Sequence, residues 1–373
     1  MSEPIRVLQV LGGTTLCGAE SRIMDIYRNI DRTVVQFDFM VHNQREDYYN
    51  EEIRQLGGHI YRVPRFRVIN LYHYTKAWKR FFAQHKEYRA VHGHMTSTAS
   101  FYLPIAKRSG VPVTIAHARS AGTDPGFKGK LTRCLRHALA RKADYCLACS
   151  KEAGYAVFGK RAMQQGQVQM IPNAIALEGY RFHEPTRKRL RQQYGLEGHF
   201  VIGHVGRFHY AKNHTFLIEI FSEIVKKQDN AVLLLLGEGE LMEQVREQAE
   251  AYGVLDRVIF AGSHGNISEY YQAMDYFVFP SHFEGLPGTV VEAQAAGLPC
   301  LLSDTITKEV CVTGLVTTMS LQTPAVAWAE EVVQHQDYHR GTDLSLLQQQ
   351  GFDVLVQAKR WESFYSGKNR QVL

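Results

Sequence analysis

The stretch "YFVFPSHFEGLPGTVVEAQAAGLPCLLSD" (276–304) contains the pattern that decides the fold. Its ends, "YFVFPS" (276–281) and "PCLLSD" (299–304), are short runs apolar on both faces, as strands covered by helices on both sides require. Between them "GTVVEAQAAG" predicts a helix beginning near Gly288. Strand, helix, strand at this spacing implies a parallel pair joined by a crossover. Two carboxylates frame the intervening turn. Glu284 falls in the loop at the strand's carboxyl end, and Glu292 lies about one turn inside the helix.

The same alternation runs outward through the chain. "IRVLQVL" (5–11), "QFDFMV" (36–41), "YRAVHGH" (88–94), "PVTIAHA" (112–118) and "YCLACS" (145–150) read as buried strands, followed by "FVIGHVG" (200–206), "AVLLLLG" (231–237) and "VIFAG" (258–262). The fold class expected is α/β, with two doubly wound parallel sheets of Rossmann type. The turn-rich "IPNAIALEGYRFHEP" (171–185) divides them, which predicts an N-terminal domain over 1–185, a second over 186–345, and a tail, 346–373, whose helix packs back on the N-terminal domain.

Composition narrows the function classes. With 45% hydrophobic and 21% charged residues, the 373-residue chain is typical of globular proteins. No run of 18 apolar residues and no secretory leader pattern is present, so a cytoplasmic protein is expected. Cys146 and Cys149 form a C-x-x-C inside an apolar strand, with no second pair at zinc spacing, and read as buried thiols. Residues 1–180 hold 26 basic and 14 acidic residues, a net +12, whereas the remainder carries −6. The N-terminal half therefore faces an anion or an anionic surface. It contains no recognised nucleic-acid-binding module, and no nucleic acid is expected as a partner.

Three loops follow strands where doubly wound sheets bind ligands. "GRFHYAKNH" (206–214) offers Arg207 as a planar fork and Lys212 as a flexible point charge for phosphate oxygens. Gly12 and Gly13 end the first strand, and Gly18 opens the following helix, so backbone N–H groups there can approach an anion. Gly237-x-Gly239 follows a strand too, but Met242 stands at the third glycine position, which leaves a dinucleotide fingerprint incomplete. The helix start at Gly288 and Thr289 presents free N–H groups and a partial positive charge, suited to a diphosphate. A carboxylate accepts two hydrogen bonds, so Glu284 and Glu292 suit hydroxyl pairs. Together these features suggest a sugar nucleotide.

The ordered set of motifs resembles glycosyltransferase family 4, retaining enzymes of the GT-B fold. The marks are "GGTTLCGAES" (12–21), "VHGH" (91–94), "IPNAI" (171–175), "GRFHYAKN" (206–213), "LLGEGEL" (235–241) and "EGLPGTVVEAQAAGLPCLLSD" (284–304). "SDTITKEVCVTGLV" (303–316) and "GFDVLVQAKRWESFYS" (351–366) resemble members from capsular and exopolysaccharide gene clusters in particular. The resemblance implies two domains facing a cleft. It places Arg207 and Lys212 on the donor diphosphate, Glu284 near the transferred sugar, Glu292 on the donor ribose and His94 at the reaction centre. Donor contacts are further expected from Gly12, Gly13, Glu238, Ser263, Asn266, Gly288 and Thr289, and acceptor-side contacts from Gly18, Arg119 and Lys128. Many members read E-G-x-G-L-P where this chain has "EGLPG", and Pro287 has no N–H.

The reaction so implied moves a hexosyl unit from a nucleotide diphosphate sugar, with UDP expected as the nucleotide, to an acceptor hydroxyl with retention. No D-x-D occurs, so neither a metal nor any other cofactor is expected. The acceptor expected is a glycan or polyprenyl-diphosphate-linked sugar. Two basic segments with apolar residues, "LYHYTKAWKRFFAQHKEYR" (71–89) and "FKGKLTRCLRHALARK" (127–142), suit either packing into a core or lying on an anionic membrane, and the basic N-terminal half favours a peripheral enzyme at the inner face of the plasma membrane. The competing readings are a sugar-nucleotide epimerase of the same fold and a non-catalytic nucleotide-sugar-binding subunit.

Overall fold

The computed structural model describes residues 3–119, 132–133, 135–136, 138–341 and 343–369, and the chain divides into two compact units, Met1–Ala174 with Asp353–Leu373 and Ile175–Phe352. The first unit is built on β1 (Ile5–Leu11), β2 (Val35–Val41), β3 (Ile60–Arg62), β4 (Tyr88–Gly93), β5 (Val113–Ala118), β6 (Tyr145–Ala148) and β7 (Val168–Met170). They form one parallel sheet in the order β3-β2-β1-β4-β5-β6-β7. In the second unit β8 (Phe200–Val205), β9 (Ala231–Leu236), β10 (Val258–Gly262), β11 (Tyr276–Phe279), β12 (Cys300–Ser303) and β13 (Val316–Met319) pair in the order β10-β9-β8-β11-β12-β13. Each sheet thus winds one way from its first strand and then the other. The switch falls between β1 and β4 in one unit and between β8 and β11 in the other, where such sheets form ligand crevices.

All ten expected strands are present. The three that the pattern missed, β3, β7 and β13, are short edge strands whose residues are only partly covered. A template of apolar residues on both faces fits central strands and found only β10 of the four edge strands, because an edge strand is not enclosed.

The boundary lies at 174/175, eleven residues ahead of the expected 185. Residues 175–183 are not a spacer: Ile175 N–H donates to the Phe352 carbonyl (2.9 Å), and Gln272 Nε2 donates to the Tyr180 carbonyl (3.0 Å). Buried Leu177 and Tyr180 tie the stretch to the second unit. The helix Val354–Tyr365 belongs to the first unit, capped by Asp353, whose Oδ1 accepts from Leu355 N–H (2.8 Å). Trp361, Phe364 and Tyr365 join Tyr27, Phe37 and Phe39 in its core.

The basic segment 71–89 packs one stripe of its helix into the core and leaves its basic side exposed. In the helix Leu71–Gln84, Tyr74, Trp78, Phe81 and Phe82 are buried, and Trp78 stacks on Tyr102 at 4.8 Å. The spacing 74, 78, 81, 82 is one helical stripe, and that stripe is core. In the second basic segment residues 127–131, Lys128 with them, lie outside the described residues. Cys146 and Cys149 are both buried, and burial pushes the Cys146 thiol up to about 12. Among the described residues no helix is long and apolar enough to cross a membrane.

Candidate active site

At the second switch point the loops after β8 and β11 carry the expected charges. Asn213, at a left-handed φ of 55°, turns the chain into the helix His214–Lys227 and donates through Nδ2 to the Pro280 carbonyl (3.0 Å). His282 N–H donates to the Ala211 carbonyl (2.8 Å), so the two loops are fastened backbone to backbone. Lys212 Nζ and Glu284 Oε1 meet at 2.7 Å, with side chains 18% and 15% exposed. The same ammonium lies 4.5 Å from the Phe279 ring centroid, a favourable site for a cation. The Lys212 stem passes over Gly206, where an added Cβ would stand 3.1 Å from Lys212 Cδ.

Arg207 goes elsewhere. Its Nη2 donates to Glu240 Oε2 (3.0 Å) in an exposed pair. Beneath this loop two histidines are neutral. Burial takes His204 down to about 3 and His214 to about 2, and the Lys212 charge adds to both shifts. The positive charge here therefore resides on Lys212 and Arg207, each held by a carboxylate.

The glycine pair after β9 has a packing explanation. A Cβ on Gly237 would come within 2.2 Å of the Gly206 carbonyl oxygen, and one on Gly239 within 2.3 Å of that of Phe208. Phe208 N–H donates to the Glu238 carbonyl (3.0 Å) and Gly237 N–H to the Gly262 carbonyl (2.9 Å). The glycines let the loops after β8, β9 and β10 lie against one another, which is a different use from a dinucleotide turn. Glu238 and Ser263 are exposed on these loops, and exposed Asn266 donates to Glu269 Oε2 (2.8 Å) ahead of the helix Ile267–Ala273.

The helix Gly288–Ala295 starts directly after Pro287. By position the N–H groups of Gly288 and Thr289 lack intrahelical acceptors. Thr289 Oγ1 is also buried with no hydrogen-bond partner among the described residues. Such a group costs about 1–3 kcal/mol unless something binds it. Glu292, one turn on, is buried and accepts from the Tyr271 hydroxyl at Oε2 (2.8 Å). The same hydroxyl oxygen lies 3.1 Å from the Thr289 carbonyl oxygen, which sets helix start and carboxylate side by side.

In the first unit the groups are packed into the sheet. Gly12 is exposed just past β1; a Cβ on Gly13 would fall 2.7 Å from Asp47 Oδ2 and 2.8 Å from Asn43 Nδ2. Asp47 accepts from Thr14 N–H (3.0 Å), so a side chain at Gly13 would have to displace the Asp47 carboxylate that pins the loop. At Gly18 nothing stands within 4 Å of an added Cβ, so its place in the helix Gly18–Asn29 sets no steric demand. His94 follows β4, and its Nε2 lies 2.9 Å from Gln9 Oε1. With that oxygen accepting, Nε2 carries the proton and Nδ1 faces Arg119 Nε at 3.4 Å. Arg119 in turn donates through Nη1 to Asn173 Oδ1 (2.6 Å). His92 is bonded on both sides, to the Tyr365 hydroxyl (2.7 Å) and to His117 Nδ1 (3.0 Å).

Burial, with Arg119 and neighbouring imidazoles adding repulsion, depresses all three histidines well below their ordinary value. Arg119 itself is lowered to about 10, chiefly by burial. His92, His94 and His117 offer nitrogens within 4.8 Å of one another, the one group among the described residues with ligands enough for a metal ion. Three neutral imidazoles could bind zinc. Arg119, however, places a fixed positive charge on the His94 nitrogen left open by Gln9, and the cluster includes no carboxylate. The residues fit a neutral hydrogen-bonded network better than a cation site. Reading the motifs did not single out Gln9, His92, His117 or Tyr365.

Residues 17–174 match the family model "Glycosyl transferase 4-like domain", and residues 186–317 match "Glycosyl transferases group 1". Over 335 residues, 88% of this chain and 87% of the relative, it is 36% identical to the putative glycosyltransferase EpsF of Bacillus subtilis. The chain belongs to glycosyltransferase family 4. The Escherichia coli UDP-Gal:alpha-D-GlcNAc-diphosphoundecaprenol alpha-1,3-galactosyltransferase is 26% identical over 226 residues, 59% of this chain and 58% of that enzyme. Anabaena Alr3699/HepE, crystallised with UDP-glucose, has the same fold, with a TM-score of 0.74 over 99% of this chain and 98% of that one at 18% identity. The glycosyltransferase thus has the GT-B fold, two Rossmann-like units of seven and six parallel strands.

Proposed function

We propose that this glycosyltransferase moves a hexosyl unit from a UDP-sugar to a polyprenyl-diphosphate-linked glycan in surface polysaccharide synthesis, with retention and without a metal ion. The observation that carries the reading is the Lys212–Glu284 pair at the β8/β11 switch point. In the free enzyme each charge satisfies the other. A donor diphosphate takes Lys212, which releases Glu284 to accept from sugar hydroxyls, so binding exchanges one ionic partner for another. Arg207 leaves Glu240 in the same way. The Gly288 and Thr289 N–H groups and the Thr289 hydroxyl complete the anion site, and buried Glu292 takes the ribose diol. The names of the galactosyltransferase and of the HepE complex support UDP as the nucleotide.

In the chemical step the bond from the anomeric carbon to the diphosphate oxygen breaks, and the acceptor oxygen attacks that carbon from the same face. The acceptor proton passes to the departing phosphate oxygen. Fixed cations at the leaving group gain strength as its charge grows, which is where stabilisation lowers the barrier. The test is nucleotide release across UDP- and GDP-sugars with a lipid-diphosphate sugar as acceptor, followed by NMR of the product anomer. The expected result is acceptor-dependent UDP release with the donor's configuration kept. Conversion of donor without acceptor would establish an epimerase, and an inverted anomer would overturn retention. Chelation with EDTA is expected to leave the rate unchanged; a loss restored by a divalent cation would overturn metal independence.

A further inference from the structure

The turn before the helix Leu71–Gln84 exposes apolar side chains to an unusual degree. Ile69 is 91% exposed, Tyr72 70%, Val68 65% and Leu71 41%. Four such neighbours in one short stretch are a patch rather than scattered surface residues. The turn is also braced. Asn70 Oδ1 accepts from Arg67 N–H (2.7 Å), and Asn70 Nδ2 donates to the Arg65 carbonyl (3.0 Å). Phe66 anchors its base between Tyr74 and Phe101, with ring centroids 5.3 and 5.0 Å away. The fold therefore holds Val68 and Ile69 out in water.

The sequence around this tip is basic, and among the described residues only Arg54 and Arg62 of its lysines and arginines pair with an acid, both with Glu46. Residues 53–86 contain eight lysines and arginines and no aspartate or glutamate. Arg65 and Arg67 flank the tip, while Lys76, Lys79 and Arg80 continue from Tyr72 along the outer stripe of the helix. All five are exposed and none has an ion pair among the described residues. Lys76 Nζ lies 6.0 Å from the Tyr72 ring centroid, placing cation and aromatic at one level. The buried Tyr74 stripe faces away, so this element offers a surface only through the tip and the basic back.

We propose that residues 65–80 are the membrane-docking surface of the enzyme, with Val68, Ile69, Leu71 and Tyr72 entering the interface of an anionic bilayer beneath a collar of Arg65, Arg67, Lys76, Lys79 and Arg80. An aliphatic tip in a ring of cations matches acyl chains under anionic headgroups. An acidic protein would satisfy the cations and leave Ile69 in water. The purpose of docking rests on the lipid-linked acceptor proposed above, whereas the surface itself rests on exposure and charge.

Flotation of the full chain with vesicles of phosphatidylglycerol and phosphatidylcholine, against phosphatidylcholine alone, tests it at low salt. Binding is expected only to the anionic vesicles. It should fall at least tenfold in Ile69→Asp and about fivefold for each of Arg65→Ser and Lys79→Ser, the weight of one basic residue near an anionic surface. Ile69→Trp supplies a reporter, because Trp78, Trp328 and Trp361 are all buried: its emission should shift to the blue on anionic vesicles. UDP release with a water-soluble acceptor analogue is expected to stay at the wild-type rate in Ile69→Asp, which separates docking from the transfer reaction. Absent vesicle binding by the wild type, an unshifted emission spectrum in Ile69→Trp, or a self-association that Ile69→Asp abolishes would each overturn the proposal, whatever the transfer assay gives.

Discussion

The two switch points have the same topology and opposite chemistry. Between β1 and β4 the polar groups sit on or next to strands, are buried, and are bonded to one another: Gln9 to His94, His92 to His117 and Tyr365. Between β8 and β11 they sit on loops and are paired as ions, Lys212 with Glu284 and Arg207 with Glu240. A strand residue is positioned by sheet register and cannot change partners without disturbing the sheet. A loop cation can trade its carboxylate for a ligand. The N-terminal crevice is thus built to present fixed groups, neutral imidazoles beside the Arg119 cation, and the C-terminal crevice to exchange charge.

Acid should separate the units first and by the largest margin. His92, His94 and His117 in one, and His204 and His214 in the other, all have folded-state values below the unfolded 6.5. The unfolded chain then binds more protons, so stability is complete above pH 6.5 and is lost as pH falls below it. For His204 and His214, at about 3 and 2, moving to pH 5 removes about 2 kcal/mol each. The three N-terminal imidazoles shift in the same direction, so their contribution is lost over the same range. His42 and His282 shift the same way, one in each unit. The N-terminal sheet should therefore lose protection earlier in hydrogen exchange between pH 7 and pH 5. Equal loss in both sheets would show that the His92 cluster is not held neutral.

The next largest effect probes the exchangeable site. Lys212→Ala and Glu284→Ala should each lower kcat by about 100- to 1,000-fold, the range for removing a preorganised charge from a transition state. Both variants should fold, because the side chains lie on loops outside the cores. Combining them should cost little more than either alone, since they act as one unit. Wild-type nucleotide release in either variant breaks the assignment.

What could be read from the chain follows the same division. Central strands, the switch-point loops and the start at Gly288 were legible because backbone chemistry fixes them locally: apolar runs, glycines at close approaches, a proline before the first turn. The partners of those residues were not. Glu240 lies 33 residues from Arg207, and neither its sequence position nor its type marks it as a counter-ion. The His94 network was half visible, since His92 and His94 are two residues apart at the end of β4, and their rings stack at 4.2 Å. Register supplied the rest: Gln9 pairs with His92 across β1 and β4. Tyr365 arrives from 273 residues away on the terminal helix, which no local pattern could indicate.

That network supplies a smaller, sharper test. Gln9→Leu removes the acceptor of the His94 Nε2 proton and leaves a buried donor unpaired, at a cost of about 1–3 kcal/mol. Because Gln9 acts through His94, the decisive readout is the imidazole itself. Nitrogen NMR should report the Nε2–H form in the wild type and a mixture of tautomers in Gln9→Leu. Gln9→Glu should restore the single form, and an unchanged spectrum in Gln9→Leu would show that Arg119 alone orients the ring.

The smallest effect is the most diagnostic of charge exchange. If Arg207 is held by Glu240 until a diphosphate displaces it, the two residues must act with opposite sign on donor binding. Arg207→Ala should raise the donor KM about tenfold, the loss of a charge-assisted contact. Glu240→Ala should lower it severalfold by removing the competitor, and should leave the melting temperature unchanged because the pair is exposed. Raising the salt should shrink the difference, as screening weakens the resting pair. Were both substitutions to raise KM alike, Glu240 would be a positioning group for Arg207 rather than its rival, and the C-terminal crevice would resemble the fixed network of the N-terminal one.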